Sequence, residues 1–253
     1  KDVYNIPLRS LYSKNIRNLF MAGRNISATH TAFSSTRVMG TCAVEGQAIG
    51  TAAALCVKHN LLPRGLYENK AKLKELQQTL LRDDQSVKGL KNEDPLDLAR
   101  KATVTASHER ENCQAANVIN GWVRALPEYE NRWAAPLGER GVWIELAWDK
   151  PQTLSQLQLT FDSGFIRELT LSSSAAANVD IIRAPQPETV RKYSVLYQAE
   201  DGKEWVELAS IDGNHQRLRR HYFEAVSAKR IRIHVKETNG DDLARIFEVR
   251  CYA

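Results

Sequence analysis

Gly23-Arg24-Asn25-Ile26-Ser27-Ala28-Thr29-His30 runs on through Ser34-Ser35-Thr36-Arg37 into Val38-Met39-Gly40-Thr41-Cys42-Ala43-Val44-Glu45-Gly46-Gln47-Ala48-Ile49-Gly50-Thr51-Ala52-Ala53-Ala54-Leu55. The pattern predicts a strand end, a polar loop and a long helix made almost wholly of small residues. From Val38 to His59 such a helix extends about 30 Å. Ser35 or Thr36 stands where a side chain caps first amides, and Asn60 with Pro63 beyond it marks the end. Gly40, Gly46 and Gly50 each cost the helix about 1 kcal/mol relative to alanine. That cost makes sense where a ligand or another element must come close to the backbone.

Working outward, Val3 to Leu11 reads as extended, with Pro7 suited to an edge. Asn15 to Asn18 reads as a turn, and Leu19-Phe20-Met21-Ala22 as a short apolar strand ending at Gly23. Downstream, Leu73, Leu76, Leu80 and Leu81 recur at helical spacing, with Lys72, Lys74, Glu75 and Arg82 on the wet side. Asp83 to Asp97 is polar, with Gly89 and Pro95, and reads as a connector. The division expected is a first domain over 1–92, a linker over 93–99 and a second domain over 100–253.

Several short runs occur in a telling order: Ile6-Pro7-Leu8-Arg9-Ser10-Leu11, Asn18-Leu19-Phe20-Met21-Ala22-Gly23-Arg24-Asn25-Ile26-Ser27, Ser35-Thr36-Arg37-Val38-Met39 and Gly46-Gln47-Ala48-Ile49-Gly50-Thr51-Ala52-Ala53. This order closely resembles the C-terminal end of a family of FAD-dependent oxidoreductases. The resemblance implies FAD as cofactor and places Gly23, Arg24, Asn25, Arg37, Met39, Gly40 and Thr41 against it. The free amides and dipole of a helix start would favour negative charge on a reduced flavin. Arg37 is also suited to an anionic substrate group, and His30 is the one candidate proton donor. The plainer reading makes Arg24 and Arg37 partners of loop carbonyls and His30 a structural hydrogen-bonder. A complete flavoprotein of this kind needs a Gly-x-Gly-x-x-Gly turn for the pyrophosphate, and no such turn occurs. The expectation is a fragment whose cofactor-grasping N-terminal half lies upstream of Lys1, catalytically silent alone.

Beyond the connector the apolar period changes to two. Val142, Ile144, Leu146 and Trp148 alternate, as do Leu157, Leu159 and Phe161, then Tyr193, Val195 and Tyr197, and Ile231, Ile233 and Val235. Asp201-Gly202, Asp212-Gly213 and Asn239-Gly240 punctuate the runs, which together predict an all-β sandwich. Ala102-Thr103-Val104-Thr105-Ala106-Ser107, Ala116-Asn117-Val118-Ile119-Asn120-Gly121, Arg132-Trp133-Ala134-Ala135, Trp143-Ile144-Glu145-Leu146 and the closing Ile246-Phe247-Glu248-Val249 carry a second resemblance. It is to the discoidin, or coagulation factor 5/8 C-terminal-type, domain with its galactose-binding-like jelly roll. The fold class expected is therefore multidomain: a partial α/β, mainly helical piece of an FAD-binding domain plus an all-β jelly-roll sandwich.

The second resemblance implies a glycan ligand held by loops, for which His108, Arg110, Trp122, Tyr129 and Arg167 are the candidates; a core plug is the competing role for Trp122. It also implies calcium, with Asn120, Asn131 and Glu248 at the corresponding positions, although two amides make a poor match for a cation that prefers carboxylates. Arg217, Arg219 and Arg220, with Arg230 and Arg232, form either a basic face for acidic glycans or a solvated strand face. Gly164 to Val190 reads as an insertion of unassigned role.

The net charge of +5 is uneven, with fourteen Lys or Arg against six acids in residues 1–91 and twenty-one against twenty-four in the rest. The basic excess falls on a helix face without interleaved aromatics, which argues against nucleic acid. No run has the length and apolarity of a membrane span. Of the four cysteines, Cys42 and Cys56 lie on one helix and cannot meet, while Cys113 and Cys251 remain a conceivable pair. A binding module suits a secreted or periplasmic setting, and nothing in the residues fixes one. The competing function is a non-enzymatic glycan-binding protein on a helical scaffold.

Overall fold

A computed structural model describes residues 3–126, 129–165, 167 and 172–253. The chain divides into two compact units, one ending at Asn92 and the other beginning at Glu93.

The first unit is helical. Its helices are α1 (His30–Thr36), α2 (Met39–Lys58), α3 (Pro63–Glu68) and α4 (Lys70–Arg82). The polar loop expected before the long helix is itself largely α1, capped by Thr29, whose hydroxyl accepts from the Ala32 N–H at 3.3 Å. Thr36 therefore closes one helix rather than capping the next. The long helix starts after Val38, which offers its first amides no side-chain acceptor. At the far end Asn60 takes the left-handed conformation (φ 51°), and the Leu61 N–H reaches back to the Cys56 carbonyl at 2.8 Å. That is the hydrogen-bond closure a left-handed terminal residue provides. Pro63 begins α3 at a position where its missing N–H costs nothing.

Leu19–Ala22 forms no full strand. It makes a single bridge, Tyr12 to Phe20, with Met21 N–H donating to the Leu11 carbonyl at 2.8 Å. A strand needs a ladder of partners, and the described part of this unit supplies one rung. The core is thin: Ala52, Leu55, Cys56, Leu66, Leu76 and Leu80, with Leu8, Phe20, Ala48, Leu61 and Leu73 against it. The leucines of α4 face this core as their spacing predicts.

The second unit is antiparallel throughout: β1 (Thr103–Ala106), β2 (Trp133–Pro136), β3 (Val142–Phe161), β4 (Val190–Gln198), β5 (Val206–Ile211), β6 (Leu218–Thr238) and β7 (Leu243–Tyr252). β3 and β6 are shared by two layers. The first half of β3 pairs with β1 and with the end of β6, from Val142 opposite Val235 to Ala147 opposite Arg230. After register breaks between Ala147 and Gln156, its second half pairs with the start of β6 and with β7. β4 and β5 extend the first layer and β2 the second. Bulges of this kind let one strand turn a corner and serve both sheets.

The alternation seen in the sequence is the inward face of these layers. Ile144, Leu146, Leu157, Leu159, Phe161, Tyr193, Val195, Ile231, Ile233, Val235, Ile246 and Val249 share one core with Trp133 and Cys251. Contact between layers is direct, with the Phe161 and Tyr193 rings 5.1 Å apart. The turn into β3 requires glycine at Gly141 (φ 70°), where a Cβ would lie 2.4 Å from the Val235 carbonyl oxygen. Asp97, in the stretch read as linker, is buried in this unit; its carboxylate accepts from the Ala99 N–H at 3.1 Å and the Cys251 N–H at 3.0 Å. Within the segment read as an insertion, Ala175–Asn178 forms one helical turn, while residues 166 and 168–171 lie outside the described residues. All four cysteines are free thiols, so Cys113 and Cys251 do not pair. Burial pushes both of their thiol pKa values up.

Candidate functional sites

In the first unit, four of the twenty residues of α2 are buried: Glu45, Ala52, Leu55 and Cys56. The rest of the helix is open to an unusual degree. Met39 is 89% exposed and Val57 84%, with Val38 and Val44 about half exposed. A Cβ added at Gly40, Gly46 or Gly50 would meet nothing within 4 Å.

The positions read as cofactor contacts gather at the start of this helix. Arg24, Asn25, Arg37, Met39 and Gly40 are exposed, and Gly23 and Thr41 are half-buried. Gly23 occupies a left-handed turn (φ 91°) closed by the Ile26 N–H on its carbonyl at 3.3 Å. Its own N–H donates to Glu45 Oε2 at 2.6 Å, which fastens the turn to α2. Cys42 lies against Gly23, and its thiol reaches the Thr36 carbonyl at 3.7 Å. His30 sits exposed at the first position of α1.

These residues fit one wall of a flavin dinucleotide site. Uncapped amides at a helix start, two exposed arginines beside them and glycines that admit close approach are the features an anionic dinucleotide uses. Glu45 was not singled out as a site residue from the sequence. The signal available was a lone acid in a helix of small apolar residues.

In the second unit, residues 120–126 and 129–132 lie in loops before β2, at one end of the sandwich. Asn120 Oδ1 accepts from the Trp122 N–H at 2.8 Å, and its Nδ2 donates to Asn131 Oδ1 at 3.2 Å. Asn131 is left-handed (φ 47°), and Asn117 Nδ2 donates to the Arg132 carbonyl at 3.1 Å. Glu248 Oε2 accepts from Arg250 Nε at 2.6 Å. One hydrogen bond thus joins Asn120 to Asn131, Asn131 Nδ2 is buried without a partner among the described residues, and Glu248 spends one carboxylate oxygen on an arginine. Among the described residues no group of three or more His, Cys, Asp or Glu side chains is arranged to hold a metal ion.

At the same end, arginines and phenylalanines alternate. The Arg124 and Arg217 guanidinium carbons lie 5.0 and 4.4 Å from the Phe165 ring centre. Those of Arg217 and Arg132 lie 5.1 and 5.8 Å from that of Phe247. Arg132 Nη1 donates to Asp162 Oδ2 at 2.6 Å, and Arg217 Nη1 to the Phe161 carbonyl at 2.7 Å. Arg217 also reaches the Val123 carbonyl, which ties Val123 to the residue just before β6. Two aromatics stand out from this frame, Phe165 at 47% exposed and Tyr129 at 68%. Each cation over a ring contributes about 0.5–2 kcal/mol to holding the loops.

The sequence candidates fare unevenly. Tyr129 and half-buried Trp122 belong to the loops before β2. Arg167 is committed to Glu188 and to Gln186, at 3.3 Å from Nε to Oε1. Its hydrogen bond holds the Glu188 carboxyl below the usual carboxylate range. His108 and Arg110 are exposed, and their backbones brace Trp133 Nε1 at 2.9 Å and the Ala134 carbonyl at 2.8 Å. Phe165 escaped the reading because it lies in the stretch taken as an unassigned insertion.

Arg217, just before β6, and the arginines of β6 itself form no single basic face. Arg217 belongs to the loop end, and Arg220 Nε donates to Gln158 at 3.0 Å in the second layer. Arg232 belongs to the first layer, with its guanidinium 4.3 Å from the Trp143 ring and 4.2 Å from that of Trp205. Buried Glu145 accepts from both Arg230 at 2.9 Å and Arg232 at 2.7 Å.

Residues 1–80 match the family model described as FAD dependent oxidoreductase. Residues 97–163 match a model described as a domain of unknown function, DUF7402. No curated protein matches the sequence significantly. Solved structures similar to the chain include chitosan-binding module 1 of a chitosanase/glucanase from Paenibacillus sp. IK-5, at 17% identity and TM-score 0.46, covering 62% of this chain and 98% of that one. Another is a family 32 carbohydrate-binding module (GH89CBM32-5) from Clostridium perfringens in complex with GalNAc-β-1,3-galactose, at 14% identity and TM-score 0.46, covering 62% and 99%. A third is the family 32 module of Streptococcus pneumoniae EndoD, at 17% identity and TM-score 0.45, covering 62% and 98%.

Proposed function

We propose that the first unit is one wall of the flavin site of an FAD-dependent oxidoreductase, and that the remaining walls belong to a portion of that domain outside this chain. The observation that carries the reading is the uncovered face of α2. Met39 and Val57 stand in solvent beside three open glycines, in a stretch matched by an oxidoreductase family model. FAD, when bound, supplies two-electron chemistry and accepts or returns a hydride. This chain contributes the oriented amides at the start of α2 and the charges of Arg24 and Arg37, which favour negative charge nearby. Alone, it is catalytically silent.

The test is spectroscopic. The intact oxidoreductase should purify yellow or turn yellow with FAD, while the 253-residue chain desalted after FAD treatment should stay colourless. An intact protein that takes up no flavin, or a short chain that retains it stoichiometrically, overturns the reading.

The second unit we read as a carbohydrate-binding module. Sugars bind where aromatic faces and polar groups converge on a rigid frame, and exposed Tyr129 and Phe165 stand beside the arginine-braced loop end. A glycan array probed with the whole chain should show retained sugars, and Tyr129→Ala or Phe165→Ala should weaken them at least about tenfold, the loss typical of a central aromatic contact. Uniform silence across the array overturns this reading and leaves the first untouched.

A further inference from the structure

We propose that Glu45 is the positioning residue of the flavin wall: it sets the Gly23–Arg24 turn through the backbone, without itself touching the cofactor. The inference rests on the flavin reading of the first unit. Glu45 is 2% exposed, on the face of α2 that otherwise buries Ala52, Leu55 and Cys56. An ionised carboxylate in such a place is costly unless it makes strong hydrogen bonds. It makes one, from the Gly23 N–H to Oε2 at 2.6 Å. Its other oxygen, Oε1, is buried without a hydrogen-bond partner among the described residues. Packing alone would favour leucine or methionine here, so what the carboxylate adds is its single bond.

That bond fixes a left-handed point of the chain. Gly23 sits at φ 91°, where other residues are disfavoured, and the Ser27 N–H pins the far side of the turn to the Ser10 carbonyl at 3.0 Å. Arg24 leaves directly from this turn. Glu45 stands on the same straight helix as the uncapped amides after Val38. One rigid element therefore carries both features, the amides at its start and the clamp on the arginine turn, and holds them in register. A hydrogen bond to a carboxylate is among the stronger ones available, which suits a clamp.

The experiment compares Glu45→Gln and Glu45→Ala with wild type in the intact oxidoreductase, reading the FAD dissociation constant and the visible flavin spectrum. Loss of one charged hydrogen bond predicts about a 10- to 100-fold weaker FAD complex for Glu45→Ala. Glu45→Gln should fall between, because its amide oxygen still accepts from Gly23 without the charge. In the 253-residue chain the Gly23 amide should exchange slowly in wild type and faster in Glu45→Ala. A purely structural role would lower the melting temperature while affinity and spectrum stayed put. If Glu45→Ala does not fold, the near-isosteric Glu45→Gln carries the comparison. Wild type that binds FAD beside variants with an unchanged constant overturns this inference alone; wild type that binds none overturns it together with the flavin reading.

Discussion

The two units solve the burial problem in opposite ways. In the second, two bent strands serve two layers, and their inward rows close over one another around fully buried Trp133, Phe161 and Tyr193. In the first, a twenty-residue helix turns a carboxylate inward and leaves methionine and valine in solvent. A helix normally buries its apolar stripe and exposes its polar residues. α2 buries Ala52, Leu55 and Cys56 as such a helix should, yet it also buries Glu45 and leaves Met39 and Val57 in solvent, whereas the strands of the β unit turn their apolar rows inward.

The largest effect that would break this contrast comes from the β core. Trp133→Ala removes a fully buried ring and the indole N–H held by the His108 carbonyl at 2.9 Å. A loss of about 3–5 kcal/mol is expected, enough to shift the unit's melting transition by many degrees. Leu76→Ala in the thin helical core should sit at the low end of the range for its type, about 2 kcal/mol, because a loose site collapses more readily. Calorimetry on both variants checks the ordering, and equal losses would contradict the contrast.

The next effect is pH-dependent and belongs to the β unit. His221 on β6 is buried with Nε2 3.0 Å from the Tyr193 hydroxyl. Burial, with Arg219 nearby, lowers its pKa from 6.5 to about 4, and burial pushes Tyr193 up to about 12. Both are neutral at neutral pH. Because the unfolded state binds the proton more readily, stability contributed by the neutral imidazole is complete above the unfolded pKa. It is lost as pH falls through the window between 6.5 and 4, and no further below it. The loss is at most about 3 kcal/mol. Urea melts of wild type and His221→Gln between pH 7 and pH 4 should diverge in slope, with the variant flatter; parallel slopes would place the acid sensitivity elsewhere.

The same contrast explains what could be read without coordinates. Period-two runs such as Ile231-x-Ile233-x-Val235 were legible because a strand's two faces alternate and one face is buried. The helical leucines of α4 were legible for the matching reason at period 3.6. Corners were legible only in part: Pro151, a residue that sheets confine to edges and bulges, lies in the break between Ala147 and Gln152, but which strands exchange there is a register event between segments distant in sequence. The break at Arg37-Val38 was not legible, because Ser35 and Thr36 have capping chemistry and the competing helix α1 claimed them first. At the loop end the separate pieces Arg124, Phe165, Arg217 and Phe247 become neighbours only through the fold. Such a ladder has no linear spacing to recognise.

The smallest effect is the sharpest, because its sign differs between settings. A Cβ at Gly46 or Gly50 meets nothing within 4 Å, and neither glycine has a positive φ. Replacing either with alanine in this chain should therefore stabilise α2 by about 1 kcal/mol, the ordinary propensity gain. On the flavin reading proposed above, the same methyl must obstruct whatever approaches this face in the fuller protein that reading requires, and flavin retention there should fall. Gly65, where a Cβ would be 3.8 Å from Leu61 Cδ2, is the control outside α2, and Gly65→Ala should leave flavin retention unchanged. Thermal melts of the short chain and flavin content of the intact protein read the two signs separately. Stabilisation in both settings would mean that the glycines of α2 answer to nothing beyond the first unit, and the contrast between a self-sufficient sandwich and an outward-facing helix would fail at its weaker half.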